Sequence, residues 1–179
     1  PGEESPVMTR IALLGLLALA ACTPHVPSSR YIGTPMYVVS NVTPAQLAGR
    51  WYEIASFPAP FQAGCSHTTA DYAPRPDGSL ALRNSCRVGN ELRRIDGTAT
   101  VAAPGRLKVD LEGVPFRGDY WVLDVARDGR TVVVGTPTRI AGGVLHRDHE
   151  MTPQELRHAR DVFERNGYDA AALQRTDQR

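Results

Sequence analysis

Three groupings of side chains in this sequence have the composition of a reactive or metal-binding site. Ser66, His67 and Asp71 supply a hydroxyl, an imidazole and a carboxylate; His146, His149 and Glu150 supply two imidazoles and a carboxylate; Glu53 follows the aromatic pair Trp51-Tyr52. A nucleophilic triad needs hydroxyl and imidazole within hydrogen-bond reach, with the acid behind the ring. Ser66 and His67 are neighbours in a stretch that reads as a strand, where successive side chains point to opposite faces, so no such pair is expected. His146, His149 and Glu150 fit no standard zinc spacing and fall at a strand end and a loop, so solvent-exposed histidines and no metal site are expected. Glu53 shares the parity of Trp51, and an unpaired carboxylate in an apolar interior would be costly. A basic or hydroxyl partner and a structural role follow for Glu53, and no residue is assigned a catalytic role.

The elements that hold these groups can be read from periodicity. The chain has 179 residues, of which 42% are hydrophobic, with 20 basic against 19 acidic side chains and a formal charge of +1. That is enough for a real core without a metal or a dense disulfide framework. Both signs of charge are dispersed, with no block of like charges to serve as a nucleic-acid arm, so no nucleic acid partner is expected. Runs of β-branched and alternating residues bounded by turn residues predict eight strands, near 51–57, 66–72, 79–86, 92–101, 106–111, 119–126, 130–136 and 141–147. The connections Pro76-Asp77-Gly78, Gly89-Asn90, Pro104-Gly105 and Asp128-Gly129 are too short for crossover helices, so the strands are antiparallel. Thr152-Pro153-Gln154-Glu155 then opens a helix with an N-cap, a proline in the first turn and a capping-box glutamate. Leu156, Ala159 and Phe163 form its apolar stripe and Asn166-Gly167 ends it. Ala170 to Arg175 is expected to add a ninth strand. Eight antiparallel strands fit a closed up-and-down barrel or a two-sheet sandwich, with the helix packed outside.

The N-terminal segment has a different character. Met8-Thr9-Arg10 is followed by the uncharged apolar run Ile11 to Ala21, too short to span a bilayer and of the length of a secretory signal core. It ends in Leu19-Ala20-Ala21-Cys22, which resembles the bacterial lipobox. The resemblance implies a lipoprotein signal peptide over residues 1–21, acylation of Cys22, and membrane attachment through that residue. Thr23 in place of an aspartate points to the outer membrane. Residues 22–37, rich in Pro, Ser and Gly, read as a tether, and residues 38–179 as the folded domain.

Gly49-Arg50-Trp51-Tyr52-Glu53 resembles the opening Gly-x-Trp block of the lipocalins; Gly118-Asp119-Tyr120-Trp121-Val122-Leu123 resembles their second block, and Leu145-His146-Arg147-Asp148 their third. In detail the chain is similar to the bacterial lipocalins, outer-membrane lipoproteins resembling apolipoprotein D. The resemblance implies the eight-stranded antiparallel barrel with one C-terminal helix outside. It also implies that Trp51 and Arg147 close the narrow end, by a cation–π contact worth about 2 kcal/mol when shielded from water.

Alternation along the strands then gives the barrel lining. Thr68, Ala70 and Tyr72 face in, followed by Leu80, Leu82 and Asn84, by Val109 and Leu111, and by Tyr120 and Val122. This apolar surface with sparse polar groups suits an acyl chain with a polar head; Arg83, Arg93, Arg94 or Lys108 are candidates to meet that head at the mouth, each with a solvated surface charge as the alternative. Related bacterial sequences carry bulky aromatics before the third block, whereas this chain has Ala141-Gly142-Gly143; either Gly143 leaves space for a bulkier ligand, or the glycines mark a bulge or an imperfect alignment. In an oxidising compartment Cys65 and Cys86 are expected to pair. That bridge demands an odd register, whereas the inward sets demand an even one, so a bulge is expected near Cys65. The expected function is that of a noncatalytic, outer-membrane-anchored carrier of fatty acid, lysophospholipid or a similar lipid, facing the periplasm and needing no cofactor. A homodimer, a lipid- or pigment-converting enzyme and an envelope scaffold are the alternatives.

Overall fold

The structure, a computed structural model, describes Gly33 and residues 35–179. The signal peptide, Cys22 and most of the tether lie outside the described residues. Folding contacts begin slightly earlier than the expected boundary at residue 38, because Met36 packs against the helix-side core and the Tyr37 amide donates to Asn166 Oδ1 at 2.7 Å.

A short helix α1 (Pro44–Leu47) leads into β1 (Gly49–Ser56), β2 (Ser66–Pro74), β3 (Leu80–Val88), β4 (Glu91–Ala103), β5 (Arg106–Leu111), β6 (Gly118–Val125), β7 (Thr131–Gly135) and β8 (Gly142–His146). Helix α2 (Pro153–Arg165) and a two-residue strand β9 (Gln174–Arg175) complete the chain. All neighbours from β2 to β8 pair antiparallel in sequence order, and β1 pairs with both β8 and β2, so the sheet closes on itself as an eight-stranded barrel. The sandwich is thereby excluded. The expected ninth strand shrinks to Gln174–Arg175, because Ala170–Ala172 form a 3-10 turn capped by the Asp169 carboxylate.

Two cores result from the alternation of each strand. Trp51, Ala70, Tyr72, Leu80, Leu82, Ala99, Leu107, Val122, Val132, Val134 and Leu145 fill the inside. Residues of opposite parity on β1, β6, β7 and β8, including Ile54, Leu123, Val133 and Val144, pack outward against Leu156, Ala159, Val162 and Phe163 of α2. The helix starts as its sequence dictates: the Thr152 amide donates to Glu155 Oε2 at 2.8 Å and the Glu155 amide returns a bond to Thr152 Oγ1. The Thr152 hydroxyl, donating to Glu155 Oε2 at 2.6 Å, and then the Thr152 amide hold the Glu155 carboxyl below its ordinary range.

The register conflict at the β2–β3 hairpin is resolved by the expected bulge. Ser66 opposes Arg87, but from Thr69 onward the pairs run Thr69–Ser85, Ala70–Asn84 and Tyr72–Leu82, with one residue gained in between. His67 takes up the bulge with φ +51°, and Cys65 is bonded to Cys86 across a Cα separation of 5.4 Å. Closing a loop of this length contributes roughly 3 kcal/mol through the unfolded chain.

Candidate functional site: the calyx, its floor and its mouth

The closed end is built around Trp51. Its indole is fully buried and donates Nε1–H to the Leu47 carbonyl at 2.7 Å, which is what α1 is for. The Arg147 guanidinium lies 3.4 Å from the ring centroid, donating Nη1–H to Arg50 O and Nη2–H to Ala48 O, each at 2.8 Å. Gly49 sits against it at φ +93°, where an added Cβ would stand 3.2 Å from Arg147 Nη1. Burial, with Arg130 adding its charge, pulls Arg147 below its ordinary value, but an arginine keeps its proton. The expected pair of floor residues is therefore present, tied by hydrogen bonds that the sequence did not disclose.

Above the floor, the expected lining residues all carry inward register. Tyr72, Leu82 and Val122 are buried; Asn84, Val109, Leu111 and Tyr120 are half-buried. Tyr72 and Tyr120 meet across the barrel, with ring centroids 6.3 Å apart and hydroxyls 3.4 Å apart. Gly143 pairs with inward-facing Val134 and stands beside Glu53 and Ser56; a Cβ there would meet Ala55 O at 3.3 Å and Glu53 Oε2 at 4.0 Å. Two polar atoms of the lining, Thr68 Oγ1 and Asn84 Oδ1, are buried without a hydrogen-bond partner among the described residues.

Glu53 faces inward, paired with Leu145, and its partners are hydroxyls and an amide: Thr176 Oγ1 at 2.7 Å, Ser56 Oγ at 3.0 Å and Gln62 Nε2 at 3.0 Å. It belongs to a seam. Strands β1 and β2 pair only over Gly49–Tyr52 and then part, and β9 takes the vacated edge of β1 at Ala55 and Ser56. Beyond it the tail joins the two strands: Thr176 N donates to Ile54 O, His67 N to Asp177 O, and Gln178 Nε2 to both Glu53 O and Thr68 O.

Three expectations need correction. Of the four basic side chains considered for a head group, Arg83 is paired with Asp96 and Lys108 with Asp119 on the outer wall, and Arg94 shares that wall; only Arg93 has inward register, at the rim beside Glu91. Ser66 Oγ does reach His67 Nδ1, at 3.1 Å, because the bulge at His67 breaks the alternation; Asp71 is instead held by Arg50. His146 is 3% exposed rather than solvated, its Nδ1 accepting from the Asp148 amide and its Nε2 lying 3.8 Å from Glu155, while His149 is exposed. The described residues contain no group of three or more His, Cys, Asp or Glu placed to hold a metal.

Burial pushes the Tyr72 phenol up to about 12, with nearby Glu53 contributing, and holds Tyr120 well above its ordinary value, with the Tyr72 charge adding. A phenol whose pKa is raised on folding stabilises the fold fully below its unfolded value, and that contribution is lost as pH climbs through the folded one. Stability is thus expected to fall between about pH 10 and 12. In an alkaline titration followed by phenolate absorbance, these two tyrosines should ionise only as the barrel unfolds. The paired Tyr72→Phe, Tyr120→Phe variant should remove that late phase.

A closed antiparallel barrel, plugged at one end by a stacked indole and guanidinium and flanked by a single helix, defines the class. Residues 43–178 match the lipocalin-like domain family model, and the chain belongs to the lipocalin family. It is 33% identical over 154 residues to temperature-induced lipocalin-1 of Arabidopsis thaliana, covering 80% of this chain and 83% of that one. It is 30% identical over 165 residues to the outer membrane lipoprotein Blc of Escherichia coli K12, covering 89% of each. Among solved structures, lobster apocrustacyanin A1 superposes with a TM-score of 0.67 at 16% identity, over 86% of this chain and 93% of that one, a likeness of fold.

Proposed function

We propose that this lipocalin is a noncatalytic carrier that holds a fatty acid, lysophospholipid or similar amphiphile in its barrel, attached to the bacterial outer membrane through acylated Cys22 and facing the periplasm. The observation that carries the reading is a gradient along the inward-facing side chains. Near the floor, Trp51, Leu80, Ala99, Leu107 and Val122 are fully buried, whereas Asn84, Ile95, Val109, Leu111 and Tyr120, toward the mouth, keep part of their surface open. The lower barrel is packed, and the partly exposed upper lining is the surface on which the carrier reading rests; there Thr68 Oγ1 and Asn84 Oδ1 still have hydrogen bonds to give or accept. Apolar burial at about 25 cal/mol per Å² supplies affinity for a chain, and the few polar groups fix its head. A structural role for Glu53 supports the noncatalytic reading, since both carboxylate oxygens are engaged by neutral donors of the seam. The outer-membrane attachment is supported by the Leu-Ala-Ala-Cys sequence and by the likeness to an outer membrane lipoprotein.

Displacement of a fluorescent fatty acid by single-chain and two-chain lipids tests the carrier. Gly143→Trp places an indole beside Glu53 and Ser56, inside the barrel, and should weaken the larger ligands by about tenfold or more while sparing short single chains. Equal affinities of the two proteins across a chain-length series would refute the role of Gly143; absence of any displaceable ligand would refute the carrier.

A further inference from the structure

The described residues expose six large apolar side chains to water: Tyr37, Phe61, Leu92, Val101, Phe116 and Ile140. Scattered singly on a surface such residues need no explanation, but four of the six concentrated at one end of a molecule do. Four connections ring the mouth of the barrel, at 57–65, 89–90, 112–117 and 136–141. Each carries one of these residues at or next to it: Phe61 at 79% exposure, Leu92 at 44%, Phe116 at 70% and Ile140 at 56%. The connections of the closed end, by contrast, present Arg75, Asp77, Arg127, Asp128, Arg130, Asp148 and Glu150; Val101 is the one exposed large apolar side chain there. The asymmetry is between two ends of one barrel built from the same strands, so it is not a by-product of packing.

We propose that the mouth rim is a docking surface for a phospholipid bilayer with anionic headgroups, into whose interface Phe61, Phe116 and Ile140 insert. Two observations select that occupant. Arg87 and Arg94 flank Leu92 on the outer wall below the rim, and no carboxylate lies within ion-pair distance of either among the described residues. Exposed arginines on the wall below exposed apolar side chains match a surface that is apolar within and carries phosphate outside, and they repel a second copy of the same rim. The chain that precedes the fold runs along the α2 side of the barrel, with Val38 and Val39 against Gly105 of the closed end and Tyr37 on the mouth side of them. Tyr37 N is bonded to Asn166 Oδ1, and the Asn166 carbonyl accepts Arg139 Nε at 2.6 Å from the 136–141 connection. The 15 residues from Cys22 to Tyr37 reach at most about 50 Å when extended, which is enough to hold the mouth against the membrane that anchors them. The inference rests on the proposed attachment through Cys22 for the reach of the tether, and on the carrier reading for its purpose, which is to place the barrel mouth where an amphiphile would enter it.

The test uses the full chain with one added tryptophan, Phe61→Trp or Phe116→Trp on the rim or Val101→Trp at the closed end, and vesicles containing brominated lipids, which quench indoles in the interface. On vesicles of phosphatidylcholine with phosphatidylglycerol, the rim tryptophans should shift to the blue and lose most of their added emission. Val101→Trp should behave as the unsubstituted protein does. Arg87→Gln with Arg94→Gln should reduce the effect on the anionic vesicles. Quenching of Val101→Trp equal to that of the rim variants, absence of rim quenching, or equal rim quenching on pure phosphatidylcholine would overturn the proposal. A blue shift that depends on protein concentration without vesicles would overturn it in favour of a mouth-to-mouth dimer. Displacement of the fluorescent fatty acid, measured on the same proteins without vesicles, reports the cup, so failure of docking and failure of the carrier reading are read separately.

Discussion

Replacing Trp51 by alanine is expected to lower the unfolding free energy by roughly 3–5 kcal/mol, the range for removing a fully buried large aromatic side chain. Three losses coincide at this position. A cavity opens at the floor of the barrel, the Leu47 carbonyl loses its indole donor, and the Arg147 guanidinium loses the ring over which it is stacked. Arg147 cannot simply swing into water, since its bonds to Arg50 O and Ala48 O tie the strand start and the end of α1 to the segment after β8. Arg147→Lys should therefore be damaging as well, by about 1–3 kcal/mol, because an ammonium reproduces neither the planar stack nor the two-branched donation. Urea unfolding at unchanged m value measures both. A loss below about 1 kcal/mol for Trp51→Ala would mean that the floor is not a stability element.

The floor also illustrates what could be read from the chain and what could not. Trp51 and Arg147 were legible through motif resemblance, while α1 was not: four residues with a single buried side chain, Leu47, leave no periodicity to detect. Strand β5 lies on its expected bounds because Pro104-Gly105 fixes its start and the alternation of Leu107, Val109 and Leu111 fixes its face. The bulge at His67 was legible only as a conflict between a disulfide register and a hydrophobic register, and its consequence, a Ser66–His67 hydrogen bond, was hidden because strict alternation forbids it. The partners of Glu53 were legible in kind but not in identity. Thr176 and Gln178 come from more than 120 positions away and belong to a tail whose two-residue strand has no sequence signature. The head-group arginines were misplaced for a related reason. Arg83 and Lys108 have outward parity on β3 and β5, opposite to the lining residues Leu82, Asn84, Val109 and Leu111 of the same strands.

Phe163→Ala is the other change expected to cost about 3–5 kcal/mol, and it should do so without touching the barrel interior. Phe163 is fully buried between barrel and helix, edge-on to Phe57 at 4.9 Å and to Tyr168 at 5.0 Å between ring centroids. Its ring lies on bare backbone: a Cβ at Gly142 would come within 3.1 Å of Phe163 Cε1 and within 2.8 Å of Val134 O. The paired glycines Gly135 and Gly142 thus form a flat pad on the outer wall, and Tyr168 completes it by accepting from Thr136 N at 2.8 Å while its hydroxyl lies 3.0 Å from Thr136 O. The Ala141-Gly142-Gly143 run consequently has two separate causes, Gly142 opening outward to the helix and Gly143 inward to the barrel. Because the two cores share no side chain, loss at Phe163 should lower the denaturation midpoint while the folded fraction keeps its affinity for both single-chain and two-chain lipids. Gly143→Trp should show the reverse, a selective loss of the larger ligands, with an overpacking cost of about 1–3 kcal/mol in stability. Measured side by side, the pair separates the wall that holds the barrel from the wall proposed to hold a ligand; a change in ligand selectivity from Phe163→Ala would show that the helix side and the barrel interior are one coupled unit.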